Sequence, residues 1–423
     1  MYRFHNKYLL FTVYCLLFTV SSFSQFALPI KLQDKTADEL KVGAQQIEKY
    51  FPLIKGKNIA VVAHPASLVN KTHLVDTLLK SGMKVKRIFA PEHGFRGNEG
   101  AGEKINNQID EKTGLPVISL YGKKTKTMNG LLEGIKAQNP FKPEPEDLKD
   151  VDVVLFDLQD VGARFYTYLS TLHYVMESCA ENKKQLIILD RPNPNGYYVD
   201  GPILEPKFKS FSGMHPVPIV YGMTIGEYAK MINGEKWLAN GVQCNLTVIP
   251  VENYSHSDLY QLPVKPSPNL PNMSSVYLYP SLCLFEGTMV SVGRGTDKPF
   301  QIFGYPGMKG AKTSFIPKPI PGVSENPMYN GQTCNAFYES DYGEMYVKYY
   351  KKIYLFWILS TYKTCETKDK FFNNYFNSLA GNETLQKQIK AGKTEEEIRN
   401  SWEPGLKKFK EIRKKYLLYP DFE

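Results

Sequence analysis

KNIAVVAH, residues 57–64, decides the fold. Its apolar residues are consecutive rather than alternating, which means burial on both faces of a strand, the condition of a parallel sheet covered by helices on each side. Three further runs share the pattern: KVKRIFAPE (84–92), VDVVLFD (151–157) and QLIILD (185–190). Helical stretches lie between them, THLVDTLLKSGM (72–83) and TYLSTLHYVMESCAENKK (167–184). Strand, helix, strand, helix predicts a Rossmann-like α/β domain with a mostly parallel sheet. Neither a G-x-G-x-x-G nor a Walker loop follows the first strand, so no nucleotide cofactor is expected.

From about Gly201 the chain becomes rich in proline and glycine. With 423 residues, two domains are expected: a Rossmann-like one over 25–205 and a smaller α/β one over 206–423, with a cleft between them. The second half predicts a helix over 224–233 opened by Thr224 and a strand in NLTVIPVENY. KPSPNLPNMSSVYLYPS (265–281) reads as an irregular proline-rich crossing. A short strand is expected between the two glycine-rich turns of residues 282–307, and a C-terminal helix interrupted at Pro404.

Arg3 and Lys7, an apolar run from Tyr8 to Val20, and small residues at Ser22 and Ser24 read as a secretory signal peptide over 1–24, cleaved before Gln25. The run is short for a bilayer span, so no stable membrane anchor is expected and the mature protein is expected to be exported, into the periplasm. Loss of Arg3 and Lys7 lowers the formal charge from +9 to +7, and much of the excess lies in GLKKFKEIRKKY, read as a solvated helix face. An exported chain without a nucleic-acid-binding motif makes nucleic acid an unexpected partner. Five widely spaced cysteines remain, with no C-x-x-C and no zinc spacing, so neither a metal nor a disulfide framework is expected.

The apolar runs end in His64, Glu92, Asp157 and Asp190, each followed by a polar loop. In an open parallel sheet ligands bind at the carboxyl ends of the strands. FAPEHGFRG (89–97) supplies Glu92, His93 and Arg96. A carboxyl buried there, screened by Phe89 and Phe95, would have its pKa raised and suit a general acid, while an ion pair with Arg96 is the structural alternative. DLQDVGARFYTY (157–168) adds Asp157, Gln159, Asp160, Arg164, Tyr166 and Tyr168, with Arg164 as a clamp for a carboxylate. LDRPNPNG (189–196) adds Asn193, and EGTMVSVGRGTD (286–297) adds Glu286 and Arg294. With no G-x-S-x-G elbow and no Cys–His signature, carboxylate acid/base chemistry remains, and glycoside hydrolysis is a common form of it. A non-catalytic binding protein using the same cleft is the alternative.

PEHGFRG, D-x-x-T-G-L-P-V-x-S-L-Y-G (110–122), FDLQDVGARFYTY, LDRPNPNG, EGTMVSVGRGTDKPF and SWEPGLKKFKEIRKKYLLY resemble, in order, the exo-β-N-acetylmuramidase family. The resemblance runs from about residue 40 to the C-terminus. It implies a hydrolase without cofactor that removes N-acetylmuramic acid (MurNAc) from the non-reducing end of peptidoglycan fragments such as MurNAc-GlcNAc and muropeptides. It maps the main catalytic glutamate onto Glu92, with Asp160 or Glu286 as the second carboxylate. His93, Asp157, Gln159, Arg164, Tyr168, Asn193 and Arg294 match motif positions lining the cleft, and Arg164 or Arg294 would meet the lactyl carboxylate.

Overall fold

The computed structural model describes residues 33–36, 39–97, 107–121 and 139–423. The expected leader lies outside the described residues, as does Gly122 of the motif that begins at Asp110. All four apolar runs form strands of one seven-stranded sheet: β1 Asn58–Ala63, β2 Lys84–Ala90, β5 Val153–Asp157 and β6 Gln185–Leu189. It is completed by β3 Gln108–Ile109, β4 Pro116–Ser119 and β7 Asn245–Ile249. The spatial order is β7-β6-β5-β1-β2-β4-β3, parallel throughout except for the β3–β4 pair at one edge. Alternate residues of β5 enter opposite cores: Val153 and Leu155 one, Val154 and Phe156 the other. That two-sided burial is what a continuous apolar run records. β7 comes from beyond residue 206, so the parallel sheet reaches past the domain boundary read from the sequence.

Helices α1 Ile47–Ile54, α2 Leu74–Lys80, α3 Tyr168–Glu181 and α4 Ile225–Gly234 flank this sheet. Thr224 opens α4 as expected: its hydroxyl accepts from the Glu227 amide, and the Glu227 carboxylate accepts the Thr224 amide at 2.9 Å.

The remaining chain carries α5 Met273–Leu282, a three-stranded antiparallel sheet and α6 Glu395–Arg413. The sheet is built from β8 Ile302–Tyr305, β9 Thr313–Phe315 and β10 Cys334–Tyr338 in the order β8-β10-β9. Two expectations are corrected here. The proline-rich crossing contains helix α5, capped by Asn272; its residues from Ser274 to Leu282 are all buried, so no amphipathic period was there to read. Pro280 has no N–H to offer the Val276 carbonyl, and Asn195 Nδ2 donates to that carbonyl instead, at 3.1 Å. The short strand expected within residues 282–307 forms as β8; ahead of it a 3₁₀ turn, Cys283–Gly287, continues α5, and Thr288 and Ser291 make isolated bridges. Helix α6 runs unbroken through Pro404, because Ile398, Trp402, Leu406 and Phe409 keep one face buried on either side of it.

Candidate active site

The chain runs outward from β1 in both directions, through β2 and β4 on one side and through β5, β6 and β7 on the other. The carboxyl ends of β1 and β5 therefore mark a topological switch point, where a crevice opens. A recess of about 650 Å³, its open mouth included, lies at this edge. Glu92, His93, Tyr166 and Tyr168 line it from the first half of the chain, Glu286 and Arg294 from the second.

Glu92 reaches the recess because the chain turns sharply after β2. His93 and Gly94 take φ of 69° and 75°, and the Gly94 amide closes the turn onto the Pro91 carbonyl at 3.0 Å. A left-handed histidine costs about 1 kcal/mol or more, a strain characteristic of sites held in place by their surroundings. The carboxylate is half-buried, not enclosed, and Phe89 and Phe95 belong to the cores on opposite faces of the sheet. Thr167 Oγ1 donates to Glu92 Oε2 at 2.6 Å, and the Tyr121 hydroxyl also bonds the carboxyl group. Burial and the Glu92 charge together push the Tyr121 hydroxyl pKa up. Hydroxyls donate to a carboxylate and accept from a carboxylic acid, so the same two partners serve both protonation states.

Behind Glu92, His64 is fully buried, and burial, followed by the charge of Arg191, holds its pKa well below the ordinary histidine range. Its Nε2 accepts the Gln159 amide at 2.9 Å, so its proton sits on Nδ1, facing the Tyr168 hydroxyl at 3.3 Å. Across the recess Glu286 is held by Arg294, Nε to Oε1 at 2.5 Å, with Cys283 Sγ 3.6 Å from Oε2. Burial works against the Arg294 charge, and the Glu286 carboxylate outweighs it, so the pKa rises. Arg294 Nη1 is buried without a hydrogen-bond partner among the described residues, a donor available to an anionic group.

Five residues expected on the cleft wall lie beneath it, and Arg96 lies beside it. Asp157 forms a buried ion pair with Arg191, at 2.5 Å to Nε and 3.0 Å to Nη2. Gln159 is spent on the Asp160 and Pro192 carbonyls. Arg164 is not a carboxylate clamp: its guanidinium donates to the carbonyls of Pro202, Val217 and Leu379 at 2.7–2.9 Å, and burial lowers its pKa to about 9. Asn193 bridges Asn195 and Met223, and packs against Gly162, where a Cβ would come within 2.2 Å of Asn193 Oδ1. Arg96 is bound bidentately to Asp110, at 3.1 and 2.9 Å, in a separate basic depression. Asp190 caps α4 rather than facing a ligand, accepting from Thr224 Oγ1, the Gly226 amide and the Tyr419 hydroxyl. Of the four polar strand ends only Glu92 lines the recess, while His64, Asp157 and Asp190 are buried behind it.

Asp160, one of the two residues expected as the second carboxylate, does not line the recess. It points inward to the Gly162 amide and the Tyr221 hydroxyl, and burial raises its pKa from 3.8 to about 6. Between about pH 4 and 6 the folded protein keeps a proton that the unfolded chain has released, so this residue's share of stability falls as pH rises through that window. Asp160→Asn lacks that titration. Its stability relative to the parent is expected to improve by about 2 kcal/mol from pH 4 to 6, checked by denaturant unfolding at several pH values.

Residues that sequence reasoning missed include Tyr121, Thr167, Asn269 and Tyr375, all on the recess wall. Tyr121 and Thr167 stood inside motifs already singled out; Tyr375 carried no pattern. Burial raises the Tyr375 hydroxyl to about 12, and it meets Ser212 Oγ at 2.7 Å.

Residues 59–274 match the family model described as exo-β-N-acetylmuramidase NamZ, N-terminal, and residues 277–419 match its C-terminal counterpart. The chain belongs to the exo-β-N-acetylmuramidase NamZ family. Membership makes it a glycoside hydrolase. A curated NamZ relative, the peptidoglycan β-N-acetylmuramidase of Bacillus subtilis strain 168, is 39% identical over 393 residues, 88% of this chain and 89% of the relative. Two solved structures of DUF1343 family proteins from Bacteroides fragilis NCTC 9343 share the NamZ-family fold seen here. One superposes with a TM-score of 0.81 at 44% identity, the other with 0.71 at 26%; each covers 90% of this chain and 99% of its own.

Proposed function

We propose that the protein is an exported exo-β-N-acetylmuramidase, releasing MurNAc from the non-reducing end of peptidoglycan fragments. The observation that carries this reading is that two carboxylates from different halves of the chain, Glu92 and Glu286, line one recess beside a half-buried arginine. Glu92 protonates the glycosidic oxygen as the bond breaks, and its two hydroxyl partners serve the acid and the carboxylate alike. Glu286, ion-paired to Arg294, takes the complementary part, as nucleophile, as base for water, or as the charge that steadies the oxocarbenium-like transition state. Arg294 Nη1 meets the lactyl carboxylate that distinguishes muramic acid from glucosamine.

The deciding experiment incubates the protein with MurNAc-GlcNAc and assays free MurNAc. Turnover sustains the reading; tight binding without turnover would favour a muropeptide-binding protein instead. Arg294→Gln is expected to raise KM for N-acetylmuramides about 10- to 100-fold while changing KM for N-acetylglucosaminides far less. Export is tested by the mass of the protein recovered from the producing cell, which should begin at Gln25.

A further inference from the structure

Beside the recess stand four aromatic rings that core packing does not account for. Tyr121, Phe141, Tyr174 and Phe211 are each half-buried, and none belongs to or packs against the hydrophobic clusters of the described residues. They hold one another instead. Phe211 stacks on Phe141 with centroids 3.9 Å apart and planes 23° apart. Tyr174 lies nearly parallel to both, at 9° and 18°. Tyr121 meets Phe141 and Phe211 edge-on at 5.8 and 5.7 Å. The four come from separate places in the chain, one after β4, one near residue 141, one on α3 and one near residue 211, so their meeting is a product of the fold.

The cluster is continuous with the recess. Tyr121 lines the recess and bonds Glu92, and Phe211 is followed directly by Ser212, also on the wall. Its charge is balanced as well: Lys142, next to Phe141, is held by Glu177 and Glu181, both at 2.8 Å. An aromatic surface that carries no unpaired cation among the described residues suits a neutral ligand with apolar C–H faces, whereas the recess, with Arg294, suits an anionic one.

We propose that this aromatic shelf binds the sugar on the leaving-group side of the scissile bond, an uncharged N-acetylated hexosamine stacked on the ring faces. The assignment rests on the function proposed above. MurNAc then sits in the recess, and the glycosidic oxygen lies at the junction of recess and shelf, where Glu92 and Tyr121 stand.

The test compares kcat/KM on MurNAc-GlcNAc with that on methyl β-N-acetylmuramide, whose leaving group is too small to reach the shelf. Phe211→Ala and Tyr174→Ala are expected to lose about tenfold on the disaccharide, a usual consequence of removing an aromatic contact, and nothing on the methyl glycoside. Phe211→Leu, which keeps apolar bulk without a flat face, should share the loss; unfolding midpoints identify any variant that has not folded. Equal losses on both substrates would make the rings structural and overturn the shelf, as would parent-like turnover of the disaccharide by Phe211→Leu or by both alanine variants. An unmodified protein inactive on both substrates would instead sink the proposed function, and the shelf with it.

Discussion

Glu92→Gln is expected to fold like the parent and to lose 10²- to 10⁴-fold in kcat on MurNAc-GlcNAc, the usual worth of a positioned acid or base. Folding should survive because the side chain is half-buried and glutamine is its isostere. The amide oxygen still accepts from Thr167, and the strained turn depends on His93 and Gly94 rather than on residue 92. What disappears is the exchangeable proton. An unfolding midpoint near the parent's, combined with loss of turnover, would identify Glu92 as a catalytic group; full activity would remove it from the reaction.

Arg191→Met is expected to cost about 3–5 kcal/mol of stability, more than any change on the recess wall, because it strands a buried carboxylate. Asp157 and Arg191 are 0% and 3% exposed in their side chains, so water cannot replace the lost partner. Removing both charges together, as Asp157→Leu with Arg191→Met, should recover much of the loss, since a buried pair costs desolvation on both sides. Thermal unfolding of the two variants measures the difference. A double variant as unstable as the single one would mean that the pair's hydrogen bonds, such as that of Arg191 to the Leu68 carbonyl, carry the effect.

The parallel sheet was legible because strands buried on two faces leave uninterrupted apolar text, as in KNIAVVAH. Helix α5 was not, because a helix buried on every side has no polar face to set its period, and Pro280 pointed the wrong way. At the site, Glu92, Glu286 and Arg294 could be found from motif wording and strand-end position. Asp157, Asp160 and Arg164 carried the same polar signature yet serve the framework, since sequence cannot tell a side chain aimed at a ligand from one aimed at a backbone amide or carbonyl. Tyr375 was invisible because its place on the recess wall depends on tertiary packing alone.

The cap on Asp190 has a consequence for the order in which the protein can be made. Burial raises this acid to about 6 even with the hydroxyls of Tyr419 and Thr224 and the Gly226 amide holding it down. Tyr419 stands 229 residues downstream, and Arg413 likewise returns to the Gly222 carbonyl. A nascent chain that has reached only residue 400 carries every strand of the large sheet but leaves that acid without its phenol partner. The cap on the large sheet is therefore completed only at the end of synthesis, and deletions that stop short of Tyr419 are expected to yield aggregation-prone chains rather than a smaller working enzyme.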